Sequence, residues 1–118
     1  MPLVDVPSLP ILEPRAGWHG QFFHSEHMTF AYYAIAAGSA VHLHDHEEEE
    51  VWHVLEGELE ISLPDGVHRL HPGQAAIVRG GERHGVRAVR ASRVIVVDHP
   101  VRATVGGIAT RAPQTADL

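Results

Sequence analysis

The chain has 118 residues and a formal net charge of −6, so it is expected to form one domain with one core and to repel the phosphate backbone of a nucleic acid. It contains neither cysteine nor lysine, which excludes disulfides, thiolate metal ligands, a lysine Schiff base and a phosphate-binding loop that requires lysine. No apolar run is long enough to cross a bilayer and no basic, apolar leader opens the chain, so we expect a cytoplasmic protein with no membrane partner.

The beginning of the chain is rich in proline, which removes hydrogen-bond donors and fixes φ. We therefore predict an extended N-terminal arm over residues 1–17, lying on its own subunit or on a partner. A β-barrel domain is expected over residues 18–111, and a flexible C-terminal tail over residues 112–118.

Short segments with the composition of β-strands follow one another between glycine and proline turns. The predicted strands cover residues 18–27, 28–37, 40–44, 50–55, 58–63, 67–70, 75–78, 84–88 and 92–98. No segment shows a helical period, and the segment 58–63 alternates apolar and polar residues as a half-buried strand does. This pattern predicts an all-β sandwich or barrel.

The second predicted strand, residues 28–37, is apolar at almost every position. Such a strand is expected to be buried on both faces. Together with the proline-rich arm, it predicts a homodimer formed by exchanged strands or packed sheets, which is also the commonest kind of oligomer.

Histidine and glutamate are concentrated within residues 38–57. His44 and His46 are two residues apart, and on a strand such residues point to the same face, so both imidazoles can reach one ion. Glu50 follows a short acidic bend and begins the next predicted strand. Imidazole and carboxylate ligands together suit a divalent metal ion, and we expect a fourth ligand at His84.

With these residues the sequence resembles the cupin superfamily. The first motif of that family is a Gly, five residues, His-x-His, three or four residues, Glu, six residues and a Gly. Every spacing is met here, by Gly38, His44, His46, Glu50 and Gly57. Four glutamates stand in a row, and in this motif only Glu50 satisfies both flanking spacings.

The second cupin motif is matched further along the chain, by Gly73, Gly81 and His84. Arg79 stands where proline is usual and Ala88 where asparagine is usual, and neither position is a metal ligand in the family. The resemblance implies a small β-barrel of jelly-roll type.

The resemblance also implies one divalent transition metal ion inside the barrel, held by His44, His46, Glu50 and His84. Three neutral imidazoles and one carboxylate suit Fe, Mn, Ni, Co or Zn. Such a site usually keeps open positions for water or substrate, where chemistry occurs.

Two functional hypotheses follow from the resemblance. The first is a metal-dependent enzyme of dioxygenase, isomerase or uronate-linearising type, acting on a small oxygen-rich molecule such as a keto acid, a sugar acid or a polyphenol. The strand ending in residues 96–102 resembles the uronate-linearising group. The alternative is a non-catalytic small-molecule-binding or sensor cupin. An acid–base group within hydrogen-bond reach of a metal-bound ligand would favour the enzyme.

Three residues are candidates for catalysis. His42 shares the strand parity of the predicted ligands, so it is either a base near the metal or a core histidine. Tyr32 and Tyr33 point to opposite faces, and we expect one of them, with Tyr32 as the candidate, to face the cavity and donate a proton. Arg79 or Arg87 is suited to clamp a substrate carboxylate, with Arg79 as the candidate.

Overall fold

The computed structural model of the protein describes residues 3–111 and consists mainly of antiparallel β-strands. A short 3-10 turn, Val6–Ser8, precedes the strands β1 (Leu12–Arg15), β2 (Trp18–His24), β3 (Thr29–Ile35), β4 (Ala40–His44), β5 (Glu49–Leu63), β6 (Gly66–Leu70), β7 (Ala75–Val78), β8 (His84–His99), β9 (Thr104–Val105) and β10 (Ile108–Ala109). This architecture confirms the predicted all-β jelly-roll class. The predicted tail over residues 112–118 lies outside the described residues. Within the described range, no helix has the length and apolar character needed to cross a membrane.

The fold is organised around its two longest strands, β5 and β8, which pair along most of their length. The first half of β5 also pairs with β7 and its second half with β6. Similarly, the first half of β8 pairs with β4 and its second half with β3, to which β2 and β1 are added. The two layers of the jelly roll therefore share β5 and β8, and the cavity lies between the layers.

Each of these long strands corresponds to two shorter predicted ones. In β5 the predicted break falls where the register against β8 shifts, between Val54 and Leu59. The extra residues form bulges, which bend a strand without ending it. Turn-forming residues in the middle of β5 thus mark the bend by which one strand passes from one layer to the other.

Gly57 lies at this bend and is there for two reasons. Its φ is +89°, in the left-handed region that favours glycine. A Cβ at this position would also lie 2.3 Å from Ser92 Oγ and 2.5 Å from the carbonyl oxygen of Ala91. The close approach lets the Glu58 backbone N–H donate a 3.0 Å hydrogen bond to Ser92 Oγ, which fixes the bend of β5 against β8.

The core lies between the layers and is built from the inward-facing positions of the strands. On β3 the alternation is regular, with Thr29, Ala31, Tyr33 and Ile35 buried and the residues between them more exposed. Aromatic rings pack edge to face, with the ring centroid of Trp18 lying 5.4 Å from that of Tyr33 and 5.8 Å from that of Trp52. This cluster forms the apolar wall of the cavity.

The segment predicted as an arm lies against its own subunit. The side-chain amide of Gln21 donates hydrogen bonds to the carbonyl oxygens of Pro7, at 3.2 Å, and Leu9, at 3.0 Å. The last part of the segment is β1, which pairs with β2 at the edge of the sheet. The proline-rich segment therefore contributes a strand, and β1 carries Arg15 to the rim of the cavity.

Candidate metal centre

Three imidazoles converge on one point between the layers. His44 ends β4 and is the direct cross-strand partner of His84, which begins β8. His46 follows two residues after His44, and the ring centroids of His44 and His46 lie 4.3 Å and 4.8 Å from that of His84. One ring nitrogen from each of the three lies within 4.8 Å of the others.

The backbone fixes the tautomer of each imidazole. Nδ1 of His44 lies 2.8 Å from the carbonyl oxygen of His42, and Nδ1 of His46 lies 3.1 Å from that of Glu48. Nδ1 of His84 lies 2.9 Å from the carbonyl oxygen of Glu82. A carbonyl oxygen only accepts, so each Nδ1 carries the proton and each Nε2 keeps its lone pair in the neutral ring. The Nε2 atoms of His46 and His84 are buried and have no hydrogen-bond partner among the described residues. These donors fit a divalent metal ion, because neutral imidazole nitrogen is a common ligand for such ions.

The surroundings of two of these rings shift their pKa in opposite directions. Burial lowers the pKa of His44, which favours the neutral form that a metal requires. Burial alone would also lower the pKa of His84, but the adjacent carboxylate of Glu50 and the hydrogen bond to the carbonyl of Glu82 raise it above its usual value. The imidazole of His84 therefore interacts with the Glu50 carboxylate.

Glu50 is 1% exposed and accepts several hydrogen bonds. The indole N–H of Trp52 donates to Oε1 at 2.7 Å, and a guanidinium N–H of Arg102 donates to Oε2 at 2.9 Å. Oε1 also lies 3.3 Å from Nε2 of His84 and 3.6 Å from Nε2 of His46. Burial opposes ionisation of Glu50, but the adjacent rings of His46 and His84, the Asp98 carboxyl and the charge of Arg102 hold its pKa well below the usual value.

Asp98 is the residue opposite Glu50 in the β5–β8 pair. It is 3% exposed, and its Oδ1 atom is buried without a hydrogen-bond partner in the part of the chain that the structure describes. Burial, followed by the hydrogen bond with Glu50 and its negative charge, raises the pKa of Asp98 to about 9. The Asp98 carboxyl therefore holds a proton beside the histidine cluster.

The four predicted ligands, together with Asp98, fall into two overlapping groups. His44, His46 and His84 form one group, and His46, Glu50 and Asp98 form the other, each with its ligand atoms within 4.8 Å of one another. His46 is common to both groups. His46 therefore connects the histidine triad to the carboxyl groups of Glu50 and Asp98.

A cavity of about 330 Å³, open to solvent, lies against these groups. Its apolar wall includes Trp18, Trp52 and several valines. The polar and charged residues that line it are Arg15, Tyr33, His44, Glu50, Asp98 and Arg102. Guanidinium groups, carboxyl groups and the histidine cluster thus surround one small space.

Two of the predicted catalytic residues lie outside this cavity. His42 is exposed, because the register of β4 against β8 shifts between Val41 and His44 and the simple alternation does not hold there. Tyr32 is on the outer face of β3, whereas Tyr33 on the inner face lines the cavity. The candidate proton donor among the tyrosines is therefore Tyr33 by position, and burial raises its pKa above the usual value.

Arg79 is exposed just beyond the end of β7 and does not line the cavity. Its backbone N–H donates to Glu82 Oε1 at 3.2 Å, closing a turn. Arg87 pairs with Glu60 at 3.4 Å, also away from the cavity. The guanidinium groups at the site instead come from residues before and after the predicted motifs.

Three residues of the site, Arg15, Asp98 and Arg102, are not indicated by motif spacing. Asp98 carries a signal of another kind, since it continues the inward positions of Val94 and Val96 on β8, and an acidic residue at such a position is unusual. Arg15 and Arg102 lie at a strand end and in a loop, where periodicity does not indicate which way a side chain points.

Comparison with known proteins identifies the kind of domain. A family model described as a cupin domain matches residues 31–100, which include all four predicted metal ligands. The structure of TT1209 from Thermus thermophilus is 33% identical, with a TM-score of 0.69, and the match covers 86% of this chain and all of that one. No functionally curated protein sequence matches the chain.

More distant structures share the fold. KdgF from Halomonas sp. superposes with a TM-score of 0.76 at 23% identity, covering 81% of this chain and 92% of that chain. An RmlC-like cupin from Shewanella frigidimarina gives a TM-score of 0.78 at 19% identity, covering 84% of this chain and 90% of that chain. At these identities the likeness concerns the fold alone.

Proposed function

This chain belongs to the cupin domain family, and we propose that it is a metal-dependent enzyme that moves a proton on a small oxygen-rich substrate, in a reaction of isomerase or uronate-linearising type. The observation that carries the proposal is the position of Asp98, whose carboxyl group has a buried, unpartnered oxygen and adjoins His46 and Glu50. An enzyme of this type requires an acid–base group beside the metal ligands, and a plain binding protein does not.

His44, His46 and His84 would hold the metal, with Glu50 as the fourth ligand. A bound divalent ion would supply a positive charge that polarises a substrate carbonyl or hydroxyl oxygen. Fe, Mn, Ni, Co and Zn all suit the donors, since the set consists of imidazole nitrogen and carboxylate oxygen.

The protein groups have separate roles in this proposal. Asp98 exchanges a proton with the substrate, giving it to an oxygen and receiving one from the neighbouring carbon or hydroxyl as the carbonyl changes position. Arg102 neutralises Glu50 through the 2.9 Å contact, and Trp52 holds the other Glu50 oxygen. Trp18 and Trp52 supply an apolar wall that limits water at the reacting atoms.

A dioxygenase is less well supported than proton transfer. Dioxygen chemistry requires open positions on a redox-active metal, and no feature of the described residues points specifically to it. Asp98 gives proton transfer a specific participant at the site. The alternative of a non-catalytic or sensor cupin leaves the same carboxyl group without a role.

The proposal is tested with protein loaded separately with Mn, Fe, Co, Ni or Zn and mixed in D₂O with small keto acids, sugar acids and polyphenols. Proton NMR would detect deuterium entering a C–H position next to a carbonyl, and an oxygen electrode would follow the same mixtures. We expect metal-dependent deuterium exchange that Asp98→Asn abolishes while metal content is unchanged. Oxygen consumption without exchange would establish a dioxygenase instead, and tight binding with neither signal would establish a binding protein.

We also propose that the protein forms a homodimer through the outer face of the sheet. Cross-strand register aligns Phe23, Phe30, Val97, Val51 and Ile77 in one apolar row over five neighbouring strands. Ile77 at the end of the row is 62% exposed. A contiguous apolar row of this kind is typical of an interface, and a second copy can cover it through a two-fold axis because the same row then contacts itself.

A further inference from the structure

We propose that Arg15 binds the carboxylate of the substrate, so that the protein acts on a small acid whose carboxylate reaches Arg15 while a nearby oxygen reaches the histidine cluster. This inference rests on the proposed function and deepens it by assigning the substrate class. Arg15 lies at the end of β1, directly opposite Trp18 in the β1–β2 pair. It lines the same cavity as His44 and Asp98, so one small molecule can contact Arg15 and the histidine cluster at the same time.

Arg15 is a half-buried arginine that forms no ion pair with a carboxylate among residues 3–111, although the charge of Glu50 acts on it from a longer distance. Arg69, Arg87, Arg90 and Arg102 each form an ion pair with a glutamate. In contrast, the guanidinium of Arg15, which lines the cavity, forms neither an ion pair nor a hydrogen bond with another side chain of residues 3–111. Burial of a cation that no carboxylate contacts costs free energy, and a substrate carboxylate would recover it through two parallel hydrogen bonds.

A second donor lies beside Arg15. Trp18 is 1% exposed and lines the cavity, and its indole Nε1 is buried without a hydrogen-bond partner in the described part of the chain. An indole N–H can only donate, as can a guanidinium. Two neighbouring donors that lack acceptors in this part of the chain favour a ligand group that only accepts, and an ionised carboxylate is such a group.

The other arginine of the cavity is already occupied. Arg102 contacts Glu50 Oε2 at 2.9 Å, so its positive charge is already balanced by the Glu50 carboxylate. Arg15 is therefore the arginine lining the cavity that no glutamate of residues 3–111 engages, while Glu50 and Asp98 adjoin His46. The cavity is small, which favours an oxo acid or a single sugar acid over a larger substrate.

The test compares acids with neutral counterparts of nearly the same shape. Titration calorimetry would measure the binding of pyruvate against hydroxyacetone and of D-galacturonate against D-galactose. Each would be titrated into Zn-loaded and into chelator-treated protein whose metal content is determined separately. The variants are Arg15→Gln, Arg15→Lys and the control Arg93→Gln, which removes one positive charge from an exposed position outside the cavity.

We expect at least one acid to bind the wild type more tightly than its neutral counterpart. Arg15→Gln should lower the affinity for that acid by about tenfold or more, because a charge-assisted pair is lost. The affinity for the neutral molecule and the metal content should not change. Arg15→Lys keeps the positive charge but loses the planar, two-pronged guanidinium, so it should lower the affinity for the acid several-fold. This variant provides the test if Arg15→Gln does not fold. Arg93→Gln should behave as wild type.

The inference is overturned if the wild type does not discriminate acid from neutral molecule, or if both Arg15 variants bind the acid as wild type does. Equal loss with Arg93→Gln would also overturn it, since the effect would then be general charge. Failure of the proposed function would look different. The protein would hold no metal or show no proton exchange, while the discrimination between acid and neutral molecule, measured also without metal, still depended on Arg15.

Discussion

Glu50 and Asp98 are direct cross-strand partners in the β5–β8 pair, so two buried carboxyl groups face the same cavity. Two carboxylates at this separation do not both ionise readily, because each negative charge raises the other's pKa. Arg102 contacts Glu50 and favours the negative charge there. Asp98 is left with the proton, and the pair therefore provides one ligand and one acid from adjacent strands.

Replacing Asp98 with Asn separates these two roles. The amide has the same shape and is neutral, as the protonated carboxyl is, but it cannot transfer a proton. We expect Asp98→Asn to retain metal and to have a free energy of unfolding within about 1 kcal/mol of that of the wild type, while turnover falls by about 10²–10⁴-fold. Metal analysis, thermal denaturation and the deuterium-exchange rate on one preparation would check this. Turnover within a factor of about three of wild type would contradict the role of Asp98.

The histidine cluster predicts one equivalent of metal that depends on His84. Elemental analysis of protein purified without added metal should find about one ion per chain in the wild type and little in His84→Ala. His68→Ala is the matched control, because His68 is an exposed residue that contacts Asp65. Adding the metal should raise the melting temperature of the wild type and of the control but not of His84→Ala, since only a protein that binds the ion is stabilised by it. Equal metal content in all three proteins would rule out this site.

Much of this site could be predicted because its signals are local. His44 and His46 are neighbours on the chain, and the motif spacing of Gly57 selects Glu50. His84 is distant in sequence, but β4 pairs with β8 and brings it directly opposite His44. The fold class could be predicted for the same reason, because alternation and turn residues are recognised within a few positions of the sequence.

The remaining features depend on relationships that spacing does not encode. The choice between Tyr32 and Tyr33 depends on which side of β3 is the inside, and two aromatic residues in succession give no indication. The prediction for His42 depends on parity, which fails where β4 shifts register. Arg79 is close to the second motif in sequence, yet the arginines that reach the cavity come from β1 and from the loop after β8.

The bend at Gly57 predicts a large loss of stability when a methyl group is added. Gly57→Ala combines a left-handed backbone with a Cβ that would lie 2.5 Å from the Ala91 carbonyl oxygen, and we expect a cost of about 3–5 kcal/mol. Gly73→Ala is the control, because its φ is +87° but nothing lies within 4 Å of its Cβ. It should cost about 1–2 kcal/mol. Urea denaturation would measure both losses of stability. Similar losses would show that the close approach to β8 is not what requires glycine at position 57.

The apolar row on the outer face predicts a dimer that one charge can dissociate. Light scattering coupled to gel filtration should give twice the chain mass for the wild type and the chain mass for Ile77→Arg, because the charge would be buried in the interface. Val67→Arg is a close control, since Val67 is 63% exposed and Ile77 is 62% exposed, but Val67 lies on β6 in the other layer. A monomeric wild type, or a dimeric Ile77→Arg variant, would contradict this interface.

A network of hydroxyl groups fixes the backbone that carries Arg102. The backbone N–H of Arg102 donates to Thr29 Oγ1 at 2.8 Å, and its carbonyl accepts from Thr110 Oγ1 at 2.8 Å. His24 joins the two threonines, with Nδ1 2.9 Å from Thr29 Oγ1 and Nε2 3.4 Å from the Thr110 carbonyl. The carbonyl requires a proton on Nε2, so Nδ1 accepts from the Thr29 hydroxyl and the neutral ring satisfies the network.

This arrangement predicts that acidification loosens the segment through His24. Burial, with the nearby charge of Arg111, lowers the pKa of His24, so the unfolded chain binds this proton more readily than the folded one does. The stabilising contribution is complete above the unfolded pKa of about 6.5 and is lost as pH falls through the lower folded value. The loss of unfolding free energy between about pH 7 and pH 5, measured with urea, should therefore be smaller in His24→Gln than in wild type. His27→Gln, which alters an exposed histidine paired with Glu26, should retain the wild-type dependence, and identical pH profiles for all three proteins would show that His24 does not control this segment.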